Sequence, residues 1–158
     1  MAEQPVTVAG CAIAQLDLEV PIAAPADRVW QALVRDTAAW WRSDFYCLPN
    51  PREFILEAKA GGRGYEFNGE GAELLWFTVL AVEPPHALEL VGHLTPRFGG
   101  PALTLMRWEV TPVGEGSIFR LTESLVGKVS ADGAEKMREG WRLLFAEGLK
   151  PFVEGRTT

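Results

Sequence analysis

Glu123 is the residue whose setting most clearly suggests chemistry. Phe119, Leu121 and Leu125 share its parity along the chain, whereas Arg120, Thr122 and Ser124 occupy the other parity. In a strand, successive side chains point to opposite faces, so Glu123 is expected as a lone carboxylate on an apolar face. Such a group is costly to ionise unless it is paired. Either its pKa rises or a cation lies beside it. Arg63 shares parity with Tyr65 and Phe67, which makes it the candidate cation. Glu123 with Arg63 would then anchor the polar head of a ligand, or Glu123 would act as a general acid or base. The structural alternative is an internal salt bridge that supports a sheet.

Tryptophan is the second unusual feature. Six occur, at 30, 40, 41, 76, 108 and 141, against two tyrosines. Tryptophan is rarely fully buried without a partner for its ring nitrogen. Six in one small chain imply a very aromatic core or an aromatic-lined pocket. Trp30 and Trp108 fit core packing. Trp41, Trp76 and Trp141 fall on three separate elements and are candidates for pocket walls, while Trp40 has no assignment. Tyr65, Leu90, Phe145 and Gly148 complete the candidate ligand-binding set. Leu90 shares parity with Leu88 and Leu94, and Phe145 and Gly148 lie on the apolar arc of the last helix. Gly148 stands where a larger residue would be expected, so Gly148→Leu should fill a cavity and stabilise the protein.

The other candidates are weaker. Cys11, Cys47, His86 and His93 are scattered, with no CxxC or HxxxH pair, so no metal site is expected, and no cofactor. His93 is expected outward or at a pocket mouth. No serine has a nucleophile-elbow context. Gly61-Gly62-Arg63-Gly64 lacks the Lys-Ser/Thr of a phosphate loop and reads as a turn. The 158 residues carry 15 Lys and Arg against 21 Asp and Glu, a net charge of −6. With no basic block, nucleic acid is a poor partner. No apolar run approaches a membrane span. Val8-Ala9-Gly10-Cys11 resembles a lipoprotein cleavage box, but no basic residue or apolar segment precedes it. The expectation is a cytoplasmic protein with two free thiols.

The elements that must position these residues follow from periodicity. Residues 1–14 read as a flexible arm, and 15–155 as one domain. Gln15 to Ala23 alternates as a strand. A short amphipathic helix over 24–33 and a second over 37–41 come next. Strands are expected at 54–58, 65–67, 73–82, 87–94, 103–111 and 117–126, with Asn68-Gly69 as a hairpin dipeptide. In the last segment Met137, Trp141, Leu144, Phe145, Gly148, Leu149 and Phe152 fall within an arc of about 140° at helical spacing. The prediction is a long amphipathic helix over 132–153, capped by Ser130 or Asp132, lying on the sheet.

This order resembles the helix-grip fold of the START-like superfamily, also called SRPBCC or Bet v 1-like. Within it the chain is most similar to the AHSA type, the activator of heat-shock protein 90 ATPase homology domain. The resemblance rests on residues 20–30, the Trp40-Trp41 pair, Gly61-Gly62-Arg63, residues 79–85, Trp108-Glu109-Val110-Thr111-Pro112, Leu121-Thr122-Glu123-Ser124 and Gly140-Trp141. It implies an α+β fold: a curved seven-stranded antiparallel sheet around a long C-terminal helix, with two short helices after the first strand. It also implies a bacterial-type module for a small hydrophobic, aromatic or lipid-like ligand. A cyclase or aromatase-type enzyme using Glu123 and a co-chaperone-like role are the alternatives, both weaker than binding. A homodimer is compatible with the resemblance. The chain departs from the family at Leu125, where glycine is more frequent, and over residues 95–101, which match no family motif.

Overall fold

The computed structural model describes residues 3–155. Strand β1 (Ala12–Ile22) leads into helix α1 (Ala26–Val34) and the single turn α2 (Thr37–Trp40). Strands β2 (Glu53–Leu56), β3 (Arg63–Phe67), β4 (Glu73–Glu83), β5 (Ala87–Leu94), β6 (Ala102–Val113) and β7 (Gly116–Gly127) follow. Together they form one antiparallel sheet in the order β1-β7-β6-β5-β4-β3-β2. The expected strands are all present, with ends shifted by a few residues. β1 starts at Ala12, so residues 12–14, assigned to the arm, join the sheet and pair with 125–127 of β7.

The core lies on the concave face. Leu16, Leu18, Val20 and Ile22 of β1 alternate inward, as do Phe119, Leu121, Glu123 and Leu125 of β7. On β6 the inward set is Thr104, Met106, Trp108 and Val110. One antiparallel face is therefore packed and the other solvated.

Strand β4 breaks the alternation twice. Gly64 pairs with Phe77 but Tyr65 pairs with Leu75, which leaves Trp76 as an extra residue. Val79 pairs with Leu90 and Ala81 with Glu89, so Leu80 is a second extra residue. Each bulge switches the inward parity. Phe77 and Val79 are buried, whereas Leu80 is half exposed. Gly64 is required here because a Cβ would lie 2.1 Å from the Phe77 ring.

The C-terminal helix is one element by periodicity and three by hydrogen bonding. Ser130 caps α3 (Ala131–Leu144), its Oγ accepting from the Gly133 N–H at 3.0 Å. A π-helical turn over Phe145–Leu149 follows, closed by the Lys150 N–H donating to the Phe145 carbonyl. α4 (Lys150–Val153) ends the helix. Pro151 has no N–H to give to the preceding turn, and the wide turn absorbs that break. The extra residue rotates the phase. Val153 is buried, while Phe152, expected inward, is half-buried beneath Arg28, whose guanidinium lies 4.8 Å from the ring centre.

Asn68-Gly69 opens a longer connection than a two-residue hairpin. Asn68 Oδ1 accepts from the N–H groups of Glu70 (2.9 Å) and Ala72 (3.1 Å). Gly69 and Gly71 take positive φ of 77° and 98°. Because Asn68 is buried, Asn68→Ala leaves two turn N–H groups without their acceptor. The expected loss is about 1–3 kcal/mol in urea unfolding. A change under a few tenths would mean that solvent satisfies both donors.

Candidate functional site

The sheet and α3 enclose a recess of about 190 Å³. Its walls are Trp76 of β4, Thr104 and Met106 of β6, Glu123 of β7, and Met137 and Trp141 of α3. Phe45, from the 3₁₀ turn Ser43–Phe45, and His93 of β5 stand with them. An aromatic-rich interior leaves less room than the roughly 300 Å³ or more of a typical ligand site. Several surface clefts are larger, and the two largest, about 540 and 480 Å³, are lined by turns and helix ends. Their carboxylates (Asp27, Glu115, Asp44 and Glu147) are all solvent-exposed, so the recess holds the more unusual chemistry.

Glu123 is 2% exposed and faces Met106 and Leu16 across the neighbouring strands. The Trp141 indole N–H donates to its Oε2 at 2.8 Å. Loss of water pushes the Glu123 carboxyl above the usual carboxylate range. The Trp141 hydrogen bond, and then the nearby Thr104 hydroxyl, pull it part of the way back. The Thr104 hydroxyl influences the charge without making a hydrogen bond of good geometry, since Thr104 Oγ1 and Glu123 Oε1 both lack a protein partner among the described residues. Trp76 Nε1 is buried without one as well. Three residues of one small recess thus each carry an unmatched polar atom. The indole nitrogens of Trp41 and Trp108, buried outside the recess, are unmatched too, so the distinctive pair is the Glu123 oxygen and the Thr104 hydroxyl. Buried polar groups are nearly always satisfied, and such a pair suits a partner that completes the hydrogen bonding.

The Trp141 bond also distinguishes the two carboxyl oxygens. With Oε2 accepting from the indole, a proton on the carboxyl belongs on Oε1. The group then presents an O–H donor, with the Trp76 N–H and the Thr104 hydroxyl as further donors in the same walls.

Of the residues expected at the site, Trp76, Glu123 and Trp141 meet at the recess. Trp41, Leu90 and Phe145 are buried behind it. Trp41 stacks on Phe54 at 3.6 Å and meets Trp76 edge-on at 5.3 Å, so it buttresses the wall. Arg63 and Tyr65 do not belong to the site. They lie on the outer side of β3, where Arg63 pairs with Glu57 at 3.1 Å and stacks 4.2 Å over the Tyr65 ring. The inward residues of β3 are Gly64, covered by Phe77, and Glu66. The Glu66 carboxylate is buried and accepts from the backbone N–H groups of Cys47 and Leu48 at 2.8–3.1 Å. Arg63 and Glu123 are therefore not a pair, and Glu123 has no cation beside it among the described residues.

Gly148 corrects another expectation. It borders the surface cleft of about 480 Å³, not the recess, and a Cβ there would sit 2.7 Å from the Trp40 carbonyl oxygen, so the helix backbone is pressed against α2 with no room for a side chain. Trp40 finds its own place, its indole N–H donating to the Ala32 carbonyl at 2.8 Å. Thr104 and Met137 are wall residues that the sequence reading did not select. Their signal was present: Thr104 shares parity with Met106 and Trp108, and Met137 is one helical turn before Trp141.

Residues 23–154 match the family of Activator of Hsp90 ATPase homolog 1-like proteins. The chain belongs to this family. Among curated proteins, none matches it significantly. An uncharacterized Rhizobium leguminosarum protein is similar over 95% of this chain and 100% of its own, with a TM-score of 0.69 and 18% identity. Ara h 8.0201 is similar over 92% of this chain and 100% of its own, with a TM-score of 0.69 and 10% identity. The Aha1 dimer of Colwellia psychrerythraea is similar over 89% and 96%, with a TM-score of 0.62 and 17% identity. At these identities the likeness shows the fold, and it confirms the helix-grip arrangement. Among the described residues no helix is long and apolar enough to cross a membrane, and no three His, Cys, Asp or Glu side chains gather to hold a metal ion.

Two outcomes follow for this AHSA-family domain. Below the unfolded glutamate pKa of about 4.3, Glu123 is protonated in both states and costs nothing. Above it the unfolded chain ionises first, so stability falls as pH rises towards the raised folded pKa. Glu123→Gln removes this loss. Its stability advantage over wild type in urea should therefore grow with pH from about pH 4 upward; a pH-independent difference would contradict the assignment. Gly148→Leu should destabilise by about 1–3 kcal/mol or more through overpacking, although leucine is the better helix former by about 1 kcal/mol. A gain in stability would place a cavity where the structure shows contact.

Proposed function

We propose that this protein binds a small, mainly apolar molecule carrying one hydrogen-bond-accepting oxygen, held in the recess between the sheet and α3. The observation that carries the reading is the set of unmatched polar atoms (Glu123 Oε1, Thr104 Oγ1 and Trp76 Nε1) in otherwise apolar walls. A carbonyl oxygen directed at Oε1 would accept the carboxyl proton, and the aromatic walls would take the ring or chain behind it. The recess suits a single ring or short chain better than a bulky polycycle.

A second reading rests on the upward pKa shift of Glu123. A carboxyl that keeps its proton further up the pH scale than an exposed glutamate suits a general acid towards an enolisable carbonyl, as in a cyclase-type reaction. Glu123→Gln separates the two. The introduced amide can still accept from Trp141 and donate into the recess, so binding survives, but it has no proton to transfer.

Acetophenone against ethylbenzene, which differs by the carbonyl oxygen, tests the proposal. The Trp76 and Trp141 indole N–H resonances should shift on adding acetophenone, with affinity roughly three- to tenfold above that for ethylbenzene, the size of one net hydrogen bond. Glu123→Leu should erase the difference and Glu123→Gln should keep it. Resonances unmoved by both compounds would mean that the recess holds only water and that the reading is wrong.

A further inference from the structure

The recess has an outer neighbour. A second pocket of about 250 Å³ is walled by Cys47, Leu74, Leu75, Arg97 and Phe98, and it shares Trp76, His93 and Leu94 with the inner recess. The two pockets therefore adjoin at these three residues, with Glu123 in the inner wall and Arg97 in the outer. Part of the outer wall comes from the 3₁₀ turn Pro96–Phe98, in the segment that matches no family motif.

Arg97 is the only lysine or arginine among the described residues of either wall. It forms no ion pair among the described residues. Its guanidinium reaches the Cys47 carbonyl with one long hydrogen bond of 3.5 Å and lies 5.0 Å from the Phe98 ring centre. Glu66 feels its charge, but the Glu66 oxygens are taken by the Cys47 and Leu48 N–H groups. Arg97 is solvent-exposed, and a planar fork of donors that the protein itself engages so little, at the rim of an apolar pocket, suits a carboxylate. Leu75, 48% exposed in the same wall, supplies apolar surface for the chain behind that carboxylate.

We infer that the ligand is an amphipathic monocarboxylate: its oxygen-bearing apolar end sits at Glu123, and its carboxylate is held at Arg97. This rests on the binding reading above and adds the chemical class of the ligand and the residue that selects it. The two polar ends differ in kind. The inner one is a buried carboxyl, which repels an anion when ionised and donates to a neutral oxygen when protonated. The outer one is a permanent cation. An acid therefore binds with its neutral end innermost.

The test uses para-acetylphenyl-alkanoic acids of increasing chain length, each against its methyl ester, by calorimetry on the full chain. At the chain length that fits, the acid should bind about tenfold tighter than the ester, the size of one charge-assisted hydrogen bond at a partly exposed site. Arg97→Gln should abolish that preference and leave ester affinity unchanged. Equal binding of acid and ester at every length, or a preference that survives Arg97→Gln, overturns the assignment of Arg97 while leaving the inner site standing. Failure of acids, esters and acetophenone alike to bind overturns the inner site, and this inference with it.

Discussion

Everything on the concave face depends on how one helix covers a one-sided sheet. Phe145 is the contact that fixes it. Its ring lies 5.8 Å from Trp40, 5.2 Å from Trp108, 4.2 Å from Phe119 and 6.1 Å from Trp141. Burying it completely contributes about 1.5–3 kcal/mol, and its neighbours come from α2, β6, β7 and the helix itself. Residues four apart on a helix share a face, so once Phe145 is seated, Trp141 must stand over the next part of the sheet. That part holds Glu123. The hydrogen bond between them thus follows from aromatic packing rather than from any charge pairing.

The same packing explains why the site is small and why its polar groups are few. Trp108, Phe54, Phe77, Phe119 and Phe145 are fully buried and fill most of the space that a curved sheet leaves beneath its helix. Dispersion and area burial reward that filling. The interior is open where the helix ends its aromatic run and presents Met137 and Gly140 instead. Methionine is an adaptable wall, and a glycine leaves the helix surface bare. The recess therefore lies at the one end of the interface where the core is under least demand to close.

Much of this was legible in the chain. The strands with regular alternation, β1, β5 and β7, could be assigned along with their inward faces, because a period of two maps directly onto burial. Glu123 emerged as buried for that reason. The failures have local causes. On β3 the two inward residues are Gly64, roofed by Phe77, and Glu66, clamped by the backbone at Cys47 and Leu48. The aromatic Tyr65 and the cation Arg63 stack together on the outside. Parity favoured the larger side chains and placed Arg63 on the wrong face. At 145–149 an unseen π turn shifted the phase that had assigned Phe152 inward. Gly148 looked like a gap in sequence and is a close backbone contact in space. Each error comes from a local contact or a local break in regular hydrogen bonding, which residue periodicity does not register.

The bulge at Trp76 shows why such departures collect around the site. In a regular strand Trp76 and Phe77 would face opposite ways. With one residue added against β3, both turn to the concave side: Phe77 meets Phe54 and Trp108 at 5.8 and 5.3 Å, and Trp76 meets Trp41 and Trp141 at 5.3 and 6.4 Å. One ring closes the core and the next walls the recess. Straightening the strand would send one of them to the outer face, either emptying the core or opening the recess to solvent. Bulges cost ladder hydrogen bonds and recur beside functional sites. Here the cost has an identifiable return: a sheet too well packed to contain a large cavity acquires an aromatic wall for a small one.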